Sequence, residues 1–184
     1  MTDFMTYYKS FLGIGDNDSG GIIDKFIGDE IMVIYPDSEC NINPIEAAMK
    51  SAKKMMQNDF YAFEPNIGIS YGKFAVAVIG TINNWSISCV GHTVNLASRC
   101  VLKDCKPGTI GITSTDINLV RQIFKAKNEW TITQKDDFIP KNMKKTNLIT
   151  VHRNKIWVPS FDYFDEAKKN IKNAYKKGFI KDDL

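Results

Sequence analysis

Two apolar runs stand very close together near the start of the chain, Ile22 to Ile27 and Ile31 to Tyr35, with Gly28-Asp29-Glu30 between them and Pro36 after. Two strand-length runs so closely spaced leave room only for a tight turn, so the spacing predicts a β-hairpin turning at Gly28-Asp29. A second pair of runs, Asn66 to Ser70 and Phe74 to Ile79, is joined at Tyr71-Gly72-Lys73 and reads as another hairpin. Its continuous apolar character predicts burial on both faces.

Helical patterns fill the intervals. Phe4, Met5, Tyr7, Tyr8, Phe11 and Leu12 recur at helical spacing, followed by breakers from Gly13 to Gly21. Asn43-Pro44-Ile45-Glu46 is a helix start, with Asn43 as cap, Pro44 at the first position and Glu46 able to complete a capping box. Ile45, Ala48, Met49, Ala52, Met55 and Met56 then form one apolar face that packs on a core. Beyond a polar loop from Gly80 to Ser86, the pattern predicts a helix over Thr93 to Leu102 and a strand over Thr109 to Ile112. Another helix is expected over Ser114 to Phe124, then strands over Trp130 to Thr133 and Asn147 to His152. An amphipathic helix over Phe161 to Tyr175 and a disordered tail from Ile180 complete the reading. Hairpins mixed with packing helices imply an α+β sheet covered on one face.

The 184 residues suit one domain with a substantial core. A net charge of +3, spread in short lysine pairs, is too weak and too dispersed to argue for DNA or RNA binding, so no nucleic-acid polymer is expected as partner. None of the four cysteines forms a C-x-x-C pair and only two histidines exist, which argues against zinc. No signal peptide or membrane-length apolar run is visible, so a cytoplasmic setting is expected.

Two segments can carry chemistry. In Gly21-Ile22-Ile23-Asp24-Lys25-Phe26-Ile27-Gly28-Asp29, a carboxylate at a tight glycine turn suits Mg²⁺, which takes hard oxygen ligands, although Gly-Asp also simply punctuates hairpins. In Gly91-His92-Thr93-Val94-Asn95-Leu96-Ala97-Ser98-Arg99, Asn95 and Arg99 share a helix face. There they could hold a ribose oxygen and a phosphate, or be ordinary exposed side chains.

Together these segments resemble the class III adenylyl and guanylyl cyclases, which carry patterns like G-x-x-x-K-x-x-G-D and G-x-x-V-N-x-A-x-R. Asn66 to Gly72 is similar to that family's central strand and glycine turn, and Pro107-Gly108-Thr109-Ile110 to its later turn and strand. The resemblance runs from Phe4 to about Phe124. It implies a ferredoxin-like nucleotide cyclase sheet with helices packed on it, within a cyclase domain over residues 1–152, followed by a C-terminal helix and tail over 153–184. It implies conversion of ATP, less readily GTP, to a cyclic 3′,5′-monophosphate and pyrophosphate for intracellular signalling. The alternative is a non-catalytic cyclase-like domain that binds nucleotide or dimerises with an active chain.

The resemblance also assigns roles. Asp29 is a metal-binding aspartate for Mg²⁺ or Mn²⁺. Lys25 and Ser88 bind the base, in an arrangement similar to the adenine-selective one; guanylyl cyclases usually have an acidic residue and a Cys there. Asn95 orients the ribose and Arg99 stabilises charge on the reacting phosphate. The partner is a second cyclase domain, as homodimer or heterodimer, with Asp29 of one chain serving Asn95 and Arg99 of the other. The family's first metal aspartate, on a strand before the opening helix, has no match; Asp3 sits too close to Asp29 and lacks a preceding apolar strand. A phosphate-contacting lysine is expected from Lys141, Lys144 or Lys145. A diguanylate cyclase, prompted by Gly28-Asp29-Glu30, is disfavoured because Ile27 and Ile31 stand where that family has a Gly and an aromatic residue.

Overall fold

The computed structural model describes residues 20–27, 30–57, 65–100, 108–125, 128–154 and 169. The expected opening helix, the Gly28-Asp29 turn, Asp3, and nearly all of the C-terminal helix and tail lie outside the described residues.

The first hairpin forms as expected, from β1 (Ile22–Ile27) and β2 (Glu30–Ile34) in antiparallel register. Helix α1 (Pro44–Gln57) begins where its signals stand. Asn43 Oδ1 accepts the Ile45 N–H at 3.1 Å. Glu46 does not serve the cap but pairs with Lys50 one turn on, at 2.8 Å. Ile45, Met49, Ala52 and Met56 are buried, as the stripe requires.

The second predicted hairpin does not form. Strand β3 (Ile67–Ser70) lies parallel to β6 (Thr109–Thr113), pairing Ile67 with Ile110 and Ser70 with Thr113. Strand β4 (Ala75–Thr81) pairs instead with β5 (Asn84–Val90), across a two-residue turn at Ile82-Asn83. The stretch Gly80 to Ser86, expected as a polar loop, is thus the tip of a regular hairpin. Its polar residues alternate along strands that face solvent, which hides the strand signal. The predicted double burial of β4 also fails: Val76 is 64% exposed and Val78 69%.

Helix α2 (His92–Cys100) follows β5, and helix α3 (Ile117–Ile123) follows β6. Helix α3 starts later than the pattern implied because Ser114 has φ 61°, outside helical space. Asp116 is its cap and accepts the Asn118 N–H at 3.0 Å. Strands β7 (Trp130–Phe138) and β8 (Thr146–Arg153) are longer than predicted and pair antiparallel, completing a four-stranded mixed sheet in the order β3-β6-β8-β7.

Helices cover both faces of this sheet, not one. On one face, α1 and α3 pack on Ile69, Ile110, Ile112, Ile149 and Val151. On the other, Leu96 and Cys100 of α2 meet Leu148 and Phe138. Adjacent residues of a strand point to opposite faces, so Leu148 and Ile149 on β8 enter different clusters. All five residues of β6 are buried as a result. Burial of a side chain such as Ile110 or Ile112 contributes on the order of 1.5–3 kcal/mol. No helix among the described residues is long and apolar enough to cross a membrane.

Candidate active site

The site begins with a charged interruption in β1. Between apolar neighbours stand Asp24 and Lys25, and the hairpin delivers both against β5. The Lys25 ammonium donates to the Ser88 hydroxyl across 63 positions of sequence. Ser88 is buried, while the Lys25 side chain is 33% exposed. The two residues assigned to the base are therefore in direct contact. An ammonium carries three donors and no acceptor, so the contact with Ser88 leaves N–H groups for a ligand.

Helix α2 carries the other two assigned residues. Gly91, between β5 and the helix, has φ 148°, a conformation that side-chain-bearing residues rarely adopt. The chain turns there, and the Gly91 carbonyl accepts the Asn95 N–H at 3.2 Å. Thr93 Oγ1 donates to the Lys73 carbonyl at 2.8 Å, tying the helix start to the β3–β4 connection. Leu96 and Cys100 face the sheet, so Asn95 and Arg99, one position before each, face outward and are exposed. The helix comes very close to the sheet at its far end. A Cβ on Gly111 of β6 would stand 2.3 Å from the Cys100 carbonyl oxygen.

The structure thus brings Lys25 to Ser88 and sets Asn95 and Arg99 on one helix face directly after the strand that carries Ser88. No hydrogen bond or ion pair among the described residues joins the two pairs. Asp29 lies outside the described residues. Of the lysines considered for phosphate, Lys145 pairs with Asp137 near the β7–β8 connection.

One participant was missed by sequence reasoning. Asp24 Oδ1 accepts the Cys89 N–H at 3.3 Å, and Oδ2 lies 3.2 Å from the Lys25 ammonium. The available signal was a carboxylate in an otherwise apolar strand, adjacent to the base-assigned lysine. Burial pushes the Cys89 thiol up from its ordinary value, and the Asp24 charge adds to the shift.

A profile of the adenylate and guanylate cyclase catalytic domain matches residues 19–152. The chain belongs to that family. Among curated relatives, the terminal-differentiation-specific adenylate cyclase of Dictyostelium discoideum is 38% identical over 105 residues, covering 53% of this chain and 5% of that protein. An adenylate cyclase of Anabaena cylindrica is 27% identical over 108 residues, covering 52% of this chain and 21% of the relative. The chain therefore spans only a small part of those relatives' length. In fold, this cyclase domain is similar to the adenylyl cyclase CyaB from P. aeruginosa, with a TM-score of 0.58 at 21% identity over 85% of this chain and 84% of the other. It is also similar to the guanylate cyclase domain of RhGC from Catenaria anguillulae, in complex with GTP, with a TM-score of 0.54 at 21% identity over 83% and 82% of the two chains. These likenesses establish the α+β cyclase fold.

Cyclases of this class generally work with divalent metal ions. Asp24 does not fit that role, because an amide N–H and an ammonium already hold its carboxylate. Asp29, which the cyclase resemblance assigns to the metal, lies outside the described residues; a carboxylate there would supply the hard oxygen that Mg²⁺ and Mn²⁺ take.

Proposed function

We propose that this domain converts ATP to cyclic 3′,5′-AMP and pyrophosphate. The observation that carries the reading is the contact between Lys25 and Ser88, with Asn95 and Arg99 on the exposed face of the helix that follows. A lysine donor beside a small hydroxyl suits adenine N1, an acceptor. An acidic residue and a cysteine, usual in guanylyl cyclases, are not at these positions, so GTP is the less favoured substrate.

In the reaction the ribose 3′-oxygen bonds to the α-phosphorus, the bond to the β-phosphate oxygen breaks, and the hydroxyl proton is released. Lys25 and Ser88 hold the base. The Asn95 amide holds the ribose so that the 3′-oxygen is aimed at phosphorus. The Arg99 guanidinium offers charge-assisted donors to the phosphoryl oxygens as negative charge builds. Bound Mg²⁺ or Mn²⁺, with Asp29 as a ligand, would neutralise the phosphates and make the 3′-hydroxyl more acidic.

The site is proposed to be completed by a second cyclase domain, most simply a second copy. Supporting this is an apolar sheet face on the β4–β5 hairpin. Val76, Val78, Trp85 and Ile87 lie on one side of it, with Val78 opposite Ile87 and Gly80 opposite Trp85. All four are exposed, Trp85 at 61%. A contiguous apolar patch of this kind marks an association surface. In the dimer, Asp29 of one chain serves Asn95 and Arg99 of the other.

The test is cyclic nucleotide formation by the purified chain with Mn²⁺, ATP and GTP being offered separately. Cyclic AMP that disappears in both Asp29→Ala and Arg99→Ala supports the reading. Nucleotide binding without product at any chain concentration would instead assign the domain a non-catalytic role beside another cyclase chain.

A further inference from the structure

Strand β1 breaks its own alternation beside the base-binding pair. Ile23 pairs with Val33 and Lys25 with Met32, consecutive residues on β2, so Asp24 is an extra residue and the strand bulges. Neighbours on a regular strand point to opposite faces. A bulge re-aims a side chain, and here it lets Asp24 turn the same way as Lys25. The outcome is a carboxylate only 8% exposed, lodged between the Lys25 ammonium at 3.2 Å and the Cys89 backbone.

We infer that Asp24 is a positioning residue for base recognition, holding the Lys25 ammonium against Ser88 with its remaining donors free for the purine edge. This rests on the nucleotide-binding reading above. Asp24 Oδ1 is tied to Cys89, the residue after Ser88, so the carboxylate is fixed to the same strand as the hydroxyl partner. Oδ2 is buried and lies 3.2 Å from the Lys25 ammonium. A buried carboxylate without a nearby cation is strongly unfavourable, so the ammonium is held in place. An ammonium has three N–H groups, of which Ser88 and Asp24 engage at most two, so at least one stays available.

The ligand side can be tested with nucleotides that lack the attacking hydroxyl and so cannot cyclise. Binding of 3′-deoxy-ATP and its 1-deaza counterpart, which lacks the N1 acceptor, is measured by calorimetry with Mn²⁺. The proteins are the native chain, Asp24→Ala and Asp24→Asn. The asparagine variant keeps an amide oxygen for the Cys89 N–H, and thermal melting checks that each variant is folded. The native chain is expected to prefer the N1-bearing nucleotide by about tenfold or more, the worth of one charge-assisted hydrogen bond. In both variants that preference should collapse toward unity, while affinity for the 1-deaza nucleotide changes by less than about threefold. An unchanged preference in the folded variants, or an equal weakening of both nucleotides, would overturn the inference. So would equal binding of the two nucleotides by the native chain. Native protein that binds neither would remove the nucleotide-binding reading itself, a result separable from the other two.

Discussion

Lys25 on β1 hydrogen-bonds to Ser88 on β5, although 63 positions separate them in the chain. The pair joins two hairpins that share no strand pairing, β1–β2 and β4–β5. In the proposed site, base recognition would therefore depend on how those hairpins are held together.

Exchanging both partners should redirect the substrate. With Lys25→Glu and Ser88→Cys, the donor that suits adenine N1 is replaced by an acceptor for the N–H groups of guanine. The ratio of cyclic GMP to cyclic AMP should rise by about tenfold or more, each correct polar contact being worth about a factor of ten. Rates with the two nucleotides, measured side by side, check this. A ratio that does not move would mean the pair does not read the base.

Gly111→Ala should separate stability from chemistry least cleanly, which makes it informative. The new methyl would lie 2.3 Å from the Cys100 carbonyl, a backbone atom at the end of α2. The helix must shift, at a cost of about 1–3 kcal/mol. Because that helix carries Asn95 and Arg99, turnover should fall further than the thermal midpoint alone would suggest. Denaturant melts and initial rates on the same preparation test it; an unperturbed melt would show that helix and sheet are less closely apposed.

Alkaline pH should weaken the domain through Cys100. Burial raises its thiol from 9.0 to about 11, partly offset by the hydrogen bond with Thr113. The folded state thus holds the proton more tightly than the unfolded chain. The associated stability is complete below pH 9 and is lost as the pH rises toward 11. The loss amounts to at most about 3 kcal/mol, and Cys100→Ala should lack it. Melts between pH 8 and 11 compare the two proteins, and matching slopes would remove Cys100 as the source.

Charge on the exposed hairpin should abolish association. Val78→Asp or Trp85→Glu places a carboxylate on the apolar face without touching the buried core. Sedimentation should show the oligomer replaced by monomer, with activity lost in parallel. Mixing the Asp29→Ala and Arg99→Ala chains should recover part of the activity, because one of the two composite sites in a mixed dimer is intact. Failure to recover any would argue against sites shared between chains.

Much of this could be read from the sequence because the signals were local. Asn43-Pro44 marks a helix start whatever surrounds it, and the Asn95–Arg99 spacing fixes a shared helix face. The first hairpin was legible for the same reason. What escaped was set by tertiary pairing. Nothing in Ile67 to Ser70 says that it pairs in parallel with Thr109–Thr113, and the nearest strand-like run was the natural but incorrect partner. The β4–β5 hairpin was hidden because polar residues at its tip read as loop. Asp24 was passed over because strand alternation turns it away from Lys25, and only the bulge brings the two together.

The two kinds of strand pairing also differ in when they can form. Seven successive pairs close β4–β5 around two residues, a local event on the order of microseconds. The β3–β6 pair must bring together residues as far apart as Ile67 and Ile110, and such closures are slow. An emerging chain will therefore display Val76, Val78, Trp85 and Ile87 before its main sheet exists. The surface proposed to find a partner is thus the first to be offered to any passing chain. Crowded synthesis of this domain should favour clumping over folding, and lower temperature or slower expression should shift the balance toward native protein.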